Sequence, residues 1–190
     1  MNTTTMQQNK TRDIVFIGIF AALIAICSWI SIPTTVPFTL QTMGVFTAVG
    51  LLGGKRGSLA VLVYILLGLV GLPVFAGFSG GFSSITSPTF GFVIGLALSA
   101  PLISALFRAL KKRWKLFPAA LVAGLAGILV TYLCGAVYGY FVMTLVLTKE
   151  VTLWFILWNW CLIYLPFDVA KLLAAAAITP VLFKRIPGLR

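Results

Sequence analysis

Two residues of opposite charge, Asp168 and Lys171, lie inside an otherwise apolar stretch of this chain. Residues three positions apart share one face of a helix, so the two side chains can pair directly. Charged side chains within a membrane-spanning helix are costly and mark ligand sites, transport paths or ion pairs. Tyr164 lies four positions before Asp168 on the same face and extends this polar stripe. The stripe favours a site for a small polar ligand, and an ion pair that only holds helices together is the alternative.

Other kinds of chemistry have little support in the residues. The chain contains no histidine, and its three cysteines, Cys27, Cys134 and Cys161, lie in separate apolar segments, so zinc and haem lack their usual ligands. The dipeptide Gly54-Lys55 is followed by arginine where a phosphate-binding loop needs serine or threonine. We therefore expect no metal site, no cofactor and no catalytic residue. If the protein moves a solute uphill, a partner should supply the energy.

The elements that hold these residues are predicted to be membrane-spanning helices. Hydrophobic residues make up 61% of the chain, charged residues make up 9%, and the mean hydropathy is +1.10. Soluble domains average about 45–50% apolar and about 25% charged residues. Uncharged stretches long enough to cross a bilayer recur, whereas the short alternating segments of a membrane barrel do not. The sequence predicts an all-α membrane protein.

Six apolar segments are predicted to form six transmembrane helices in a single domain, 1–190. They cover about 14–32, 41–54, 57–72, 89–108, 117–147 and 151–183. A polar tail at 1–10 precedes them and is expected to be disordered. A tight hairpin at 53–57 separates the second and third segments, because a continuous helix would bury Lys55 and Arg56 at a cost of roughly 3 kcal/mol each. Pro166 is expected to kink the sixth helix.

The distribution of basic residues predicts the topology. Six spans with both termini in the cytoplasm place all 14 Lys and Arg residues except Lys149 and Lys171 on the cytoplasmic side. The formal net charge of +11 therefore reports topology and not nucleic-acid binding. The loops at 33–42 and 71–88 then both face outward. Because irregular backbone at membrane depth needs protein or a cavity around it, the glycine-rich 71–88 loop is expected to fold over a site.

Small residues at four-residue spacing predict close packing of helices. Two such pairs are expected to pack within the bundle: Gly91 with Gly95, and Gly135 with Gly139. A third set, in the first segment, forms a smooth face that could receive another subunit: Gly18, Ala21, Ala22 and Ala25.

Four runs along the chain are specific in combination. They are Pro37-Phe38-Thr39-Leu40-Gln41, residues 71–77 with Ser79-Gly80-Gly81, residues 87–92, and Pro166-Phe167-Asp168-Val169-Ala170-Lys171. Together they resemble the BioY family, the biotin-binding S components of energy-coupling factor (ECF) vitamin transporters. The resemblance extends from the first segment to the sixth.

This resemblance implies a six-helix S-component fold in the cell membrane, with biotin bound near the outer face beneath the loops at 33–42 and 71–88. The expected biotin-binding residues are Asp168, Lys171, Ser87, Tyr164 and Gln41. The expected partners are a membrane-spanning T component and two cytoplasmic ATPases, with Ala21 and Ala25 at the contact with the T component. Asp168 could accept hydrogen bonds from the ureido N–H groups of biotin, and Lys171 could donate to the ureido oxygen or neutralise a negative charge.

Other functions remain open from the residues alone. The nearest is an S component for another vitamin, such as riboflavin or thiamine. A different class is a self-sufficient secondary transporter that uses Asp168 as a proton carrier. A membrane enzyme has the least support, because no second acid, histidine or metal cluster accompanies Asp168.

Overall fold

The structure is a computed structural model that describes residues 3–185, apart from the side chains of residues 3–9 and 184. Its helices are α1 (Thr3–Trp29), α2 (Gln41–Leu52), α3 (Gly54–Leu69), α4 (Phe90–Leu110), α5 (Leu116–Phe141), α6 (Leu153–Ile156) and α7 (Leu165–Arg185). Two short strands, β1 (Ser31–Ile32) and β2 (Phe38–Thr39), pair in antiparallel fashion between α1 and α2. Single 3₁₀ turns occur at Ala76–Phe78 and Phe82–Thr86, and π-helical turns at Val142–Val146 and Leu157–Leu162.

Several of the helices are apolar and long enough to cross a membrane. Within residues 3–185, four stretches could cross a bilayer: Lys10–Trp29, Phe90–Leu110, Leu116–Val146 and Leu153–Phe183. Large apolar side chains on their outer faces are exposed, as at Leu129, which is 71% exposed. Such a surface suits lipid and not water. The chain is therefore a multi-pass membrane protein, in agreement with the predicted class.

The helix α2 is shorter than a membrane span but lies in the middle of the bundle. It has 12 residues, and every residue over 44–52 is buried. The helices α1, α3, α4 and α7 all pack against it. A short apolar helix is stable there because its sides meet protein, so its length need not match the about 30 Å of hydrocarbon.

Gly53 alone joins α2 to α3. Its φ of 65° lies in the left-handed region that glycine adopts without steric cost. A Cβ at Gly57 would come within 2.8 Å of the Val49 Cα, so the two helices are in backbone contact just after the turn. The predicted hairpin is confirmed. It places the cations of this turn at one end of the bundle, where Arg56 Nε is 2.9 Å from Asp13 Oδ2.

The first helix begins earlier than the sequence predicts. The expected disordered tail at 1–10 is helical from Thr3 onward, and residues 1–2 lie outside the described part. No glycine or proline occurs between Thr3 and the apolar segment, and the polar residues there tolerate helical backbone. Apolar periodicity therefore located the membrane-spanning part of α1 and not the start of the helix.

Ala21 and Ala25 do not form an outward face. They are 2% and 6% exposed and belong to the buried face of α1 together with Ile24, where α2 and α3 pack. The small residues of α1 that are exposed are Gly18 and Ala22. The expected contact of Ala21 and Ala25 with a T component stays a prediction, and in this conformation other residues of the bundle cover both side chains. Small-residue spacing predicts close packing but does not distinguish the inside of the bundle from its outside.

Contact between α4 and α5 depends on glycine. A Cβ at Gly91 would come within 2.4 Å of the Tyr138 Cβ, and Gly95 approaches the α5 backbone almost as closely. On α5, Gly135 and Gly139 are covered by aromatic rings that leave no room for a side chain. The predicted packing role of these glycines within the bundle is confirmed.

The last predicted segment, 151–183, is interrupted near its middle. A π-helical turn follows α6, the chain turns at 163–164, and α7 begins at Leu165. Pro166 has no N–H to donate to the carbonyl of Leu162, which accounts for a break where the sequence predicts a kink. A new helix therefore starts here, and Asp168 lies in its first turn.

The two ends of the bundle differ. Arg56 and Arg108 lie at one end, in contact with Asp13 and Gly54, and the loops at 33–42 and 71–88 line a common cavity at the other end. There Trp29 Nε1 donates to the Pro73 carbonyl oxygen at 2.8 Å, and the Trp29 ring stacks on Phe78. The loop end is also the end that holds the Asp168–Lys171 pair.

Candidate functional site

Asp168 and Lys171 form an ion pair in the interior of the bundle. Lys171 Nζ is 2.6 Å from Asp168 Oδ1, and the two residues are 5% and 8% exposed. Both lie near the start of α7, where the positive end of the helix dipole favours a carboxylate. Removing either charge would leave the other buried and uncompensated, which is more costly than losing a surface pair.

Three other elements hold this ion pair in place. Thr42 Oγ1 of α2 donates to Asp168 Oδ1 at 3.1 Å, and Tyr132 Oη of α5 donates to Asp168 Oδ2 at 2.5 Å. Lys171 Nζ donates to the carbonyl oxygen of Thr39 in β2 at 2.8 Å. The pair therefore joins α2, α5 and α7 to the loop between α1 and α2.

The Phe38 ring covers the pair from the loop side. Lys171 Nζ lies 4.3 Å from the ring centroid, within the range of a cation–π contact. The Tyr164 ring stacks on Phe38 with 6.3 Å between centroids, and Tyr164 Oη lies 2.9 Å from Thr34 Oγ1. Tyr164 therefore ties the loop between α1 and α2 to the start of α7.

The ion pair keeps hydrogen-bonding capacity for a ligand. A carboxylate offers about four lone-pair sites, and Lys171, Thr42 and Tyr132 occupy three of those of Asp168. An ammonium group has three N–H donors, and Lys171 uses one on Asp168 and one on Thr39. By this count one acceptor site of Asp168, on Oδ2, and one N–H donor of Lys171 remain. The pair can therefore both accept a hydrogen bond from a ligand and donate one to it.

A cavity of about 80 Å³ lies against the pair. Three side chains that line it have a buried polar atom with no hydrogen-bond partner within the described part of the chain: Gln41 Nε2, Thr131 Oγ1 and Trp160 Nε1. Each buried polar group left unsatisfied costs about 1–3 kcal/mol. Among the side chains that the structure describes, the one other such atom is Asp13 Oδ1, at the opposite end of the bundle. The smaller cavity therefore offers three buried polar groups to a molecule that enters it.

A larger cavity of about 410 Å³ adjoins the first one, beneath the 71–88 loop. The two cavities share five lining residues: Val36, Pro37, Thr39, Gln41 and Phe92. The far wall carries the hydroxyls of Ser79, Ser83, Ser84 and Ser87 and the rings of Phe75 and Phe90. Its volume lies within the about 300–1,000 Å³ of small-molecule sites, and its apolar lining with a few placed polar groups is also typical of them.

The 71–88 loop is held firmly over the larger cavity. Phe75 is 5% exposed, and its ring packs edge-on against Tyr64 and Phe90. Tyr138 of α5 donates a hydrogen bond to the carbonyl oxygen of Ile85. Gly80 lies so close to the backbone of the same loop that only glycine fits there. This apolar, glycine-rich segment is therefore a packed wall of the cavity.

Most of the residues expected to bind a ligand meet at these cavities. Asp168, Lys171, Tyr164 and Gln41 all line the smaller cavity, and Gln41 also lines the larger one. Ser87 lines the larger cavity, with its Oγ 3.0 Å from the Thr89 Oγ1. The ion pair and Ser87 thus lie in different parts of the joined cavity.

Four polar residues at the smaller cavity could not be identified as site residues from the sequence. Thr42, Thr131, Tyr132 and Trp160 are single polar or aromatic residues within apolar helices, where such residues also serve in packing. Thr39 contributes its backbone carbonyl, which no side-chain pattern reports. A polar stripe on one helix face identifies one wall of a site and not the walls that other helices supply.

The model of the BioY family matches residues 1–188 of this chain. The chain belongs to the BioY family. The resemblance of the four sequence runs to this family is thereby confirmed. The BioY family is a family of transporter S components and not of enzymes.

Two relatives and one solved structure support this BioY membership over nearly the whole chain. A protein named biotin transporter BioY from Thermotoga maritima is 41% identical over 169 residues, covering 88% of this chain and 93% of the relative. The protein of the same name from Rhizobium etli is 34% identical over 183 residues, covering 89% and 91%. The crystal structure of the S-component for biotin from an ECF-type ABC transporter matches with a TM-score of 0.82 at 27% identity, covering 97% of this chain and 95% of that one.

Proposed function

We propose that this BioY-family protein is the substrate-capture subunit of an ECF-type vitamin transporter and that its ligand is biotin. The observation that carries the proposal is the set of unpartnered buried polar atoms, Gln41 Nε2, Thr131 Oγ1 and Trp160 Nε1, beside the Asp168–Lys171 pair. A ligand that enters this cavity can satisfy several polar groups at once. Biotin is favoured as that ligand because the relatives are named biotin transporters and the matching crystal structure is that of an S-component for biotin.

The ureido ring of biotin is proposed to meet the ion pair. Asp168 has a free acceptor site and Lys171 a free donor, and a ureido group presents N–H donors beside a carbonyl acceptor. A carboxylate only accepts hydrogen bonds and would face the negative charge of Asp168. The valeryl tail of biotin would then extend into the larger cavity, toward the hydroxyls of the 71–88 loop such as Ser87.

The whole chain, 1–190, is proposed to form one transmembrane domain of six helices in the cell membrane, with both termini in the cytoplasm. The positive-inside rule supports this orientation, because Arg56 and Arg108 lie at the end of the bundle away from the loops at 33–42 and 71–88. The proposed partners are a membrane-spanning T component and two cytoplasmic ATPases. The chain itself has no phosphate-binding loop, so in the proposed mechanism the partner ATPases supply the energy for uphill transport.

Equilibrium dialysis of the purified full chain against labelled biotin tests the ligand. We expect biotin to bind at submicromolar concentration, because the cavities offer both charge-assisted hydrogen bonds and apolar enclosure. An excess of riboflavin or thiamine should leave bound biotin in place. Failure of biotin to bind below micromolar concentration, or its displacement by either vitamin, would contradict the proposed ligand.

Uptake by vesicles separates the proposed ECF mechanism from secondary transport. Biotin should accumulate in vesicles only when a T component and ATPases are present together with ATP. Accumulation by this chain alone, abolished by an uncoupler, would instead favour a proton-coupled transporter that uses Asp168.

Gln41→Leu is expected to weaken biotin binding about 3- to 10-fold, because one hydrogen bond to the ligand is lost. Stability without biotin should stay equal or rise, since the substitution removes a buried amide nitrogen that has no hydrogen-bond partner. Calorimetric titration and thermal unfolding measure the two effects. Asn159→Leu is the matched control, because Asn159 bonds to the Phe155 carbonyl and lines neither cavity. Unchanged affinity in Gln41→Leu would exclude Gln41 from the site.

A further inference from the structure

A second groove lies between α3 and α4, apart from the biotin cavities. It has a volume of about 440 Å³ and is open along one side. Two cations, Lys55 and Arg108, line one end of it. The proposed biotin site does not use these residues, and the groove lies at the opposite end of the bundle.

The two cations of the groove have no acidic partner within the described part of the chain. The sequence contains three acids, Asp13, Glu150 and Asp168. Asp13 pairs with Arg56 and Asp168 pairs with Lys171, while Glu150 lies in the loop after α5, at the other end of the bundle. An uncompensated pair of cations at the edge of a membrane attracts anions strongly.

The two serine hydroxyls beside the cations are already hydrogen-bonded within the protein, so an anion in the groove would bind to the cations. The hydroxyls of Ser58 and Ser104 both donate to the carbonyl oxygen of Gly54, at 3.1 and 3.4 Å. The Arg108 guanidinium lies against Gly54, so that a Cβ there would come within 2.8 Å of its Nη1. Arg108 and Lys55 thus remain as the free N–H donors of the groove.

Beyond the cations the groove is apolar. Leu59 and Leu62 of α3 and Ala97 and Pro101 of α4 line it, and the two leucines are 44% and 46% exposed. From Lys55 to Leu62 the helix rises about 10 Å toward the middle of the bilayer. A cationic end that continues into an apolar channel along the helix matches a molecule with an anionic head and a hydrocarbon chain.

We propose that this groove binds one anionic phospholipid of the surrounding membrane. Its phosphate lies between Lys55 and Arg108, and one acyl chain follows Leu59 and Leu62. Charge complementarity selects this occupant over a second copy of the chain, which carries a formal net charge of +11 and would bring further cations to the groove. Basic pockets between transmembrane helices are known to hold lipid headgroups in this way.

Native mass spectrometry of the purified full chain tests the proposal. The probes are phosphatidylglycerol and phosphatidylcholine with identical acyl chains, added at equal concentration. We expect one phosphatidylglycerol to be retained in preference to phosphatidylcholine. The double variant Lys55→Gln/Arg108→Gln should retain phosphatidylglycerol about 10- to 30-fold less, with phosphatidylcholine unchanged.

Lys112→Gln/Arg113→Gln is the matched control, because it removes the same charge from exposed residues outside the groove. Leu62→Trp fills the apolar channel and should also lower phosphatidylglycerol retention. Biotin binding by each variant reports that it is folded. The proposal would be overturned if the two double variants lost phosphatidylglycerol retention equally, or if the wild-type chain retained the two lipids equally. A dimer that forms as lipid is removed would also overturn it.

Discussion

We expect Asp168→Asn to bind biotin on the order of 100-fold more weakly than the wild-type chain, because truncating one partner of a buried charge pair costs about 2–5 kcal/mol. The amide keeps an acceptor oxygen but loses the negative charge. Lys171 then remains 8% exposed without its carboxylate, and the hydroxyl donors of Thr42 and Tyr132 face a weaker acceptor. Isothermal titration of the purified variant with biotin measures the effect.

Asp13→Asn is the control for this substitution, because it makes the same chemical change in the ion pair with Arg56 at the other end of the bundle. It should leave biotin affinity unchanged. Biotin methyl ester provides a second arm. If the ion pair holds the ureido group, Asp168→Asn weakens the acid and the ester by the same factor. If the loss of affinity differs between biotin and its methyl ester, the carboxylate end of the valeryl tail lies at the ion pair. If Asp168→Asn binds both ligands as tightly as the wild-type chain, Asp168 is a structural residue.

The second large effect is expected from Lys171→Met, which should lower the free energy of unfolding by about 3–5 kcal/mol. The substitution keeps an unbranched apolar side chain beneath the Phe38 ring but leaves the Asp168 carboxylate buried and uncompensated. Adding Asp168→Asn to this variant should restore most of the stability and none of the biotin binding. Unfolding in detergent, followed by near-ultraviolet circular dichroism, measures the stability of the wild-type chain and of the two variants.

Arg56→Met is the comparison for Lys171→Met. It breaks the pair with Asp13, whose side chains are 34% and 29% exposed, and should cost no more than about 1 kcal/mol. Similar destabilisation by the two substitutions would contradict the buried character of the Asp168–Lys171 pair. The same conclusion would follow if Asp168→Asn failed to rescue Lys171→Met.

The two binding proposals concern opposite ends of one bundle. At the loop end, buried polar atoms without partners and a paired acid and base define a site for a neutral group that donates and accepts hydrogen bonds. At the other end, Lys55 and Arg108 have no acid beside them and define a site for an anion. Paired charges and unpaired charges thus favour different ligands within the same chain.

The sequence by itself determined the class of the protein, its apolar segments and its family. Membrane helices can be read from composition because lipid requires long uncharged stretches, and the hairpin at Gly53 follows from the cost of burying two cations. The Asp168–Lys171 pair was also visible, because two charges in an apolar helix stand out against their neighbours. These signals are local, so no tertiary contact is needed to detect them.

Only the tertiary structure shows which residues surround the Asp168–Lys171 pair and which helix faces point into the bundle. Tyr132 reaches Asp168 from α5, 36 positions away in the chain, and Thr42 reaches it from α2. Ala21 and Ala25 face the core, although their spacing suits an outer contact equally well. In a membrane the inward and outward faces of a helix are both apolar, so hydrophobic patterning does not separate them as it does in water. Only the packing of the helices shows which polar side chains share a cavity.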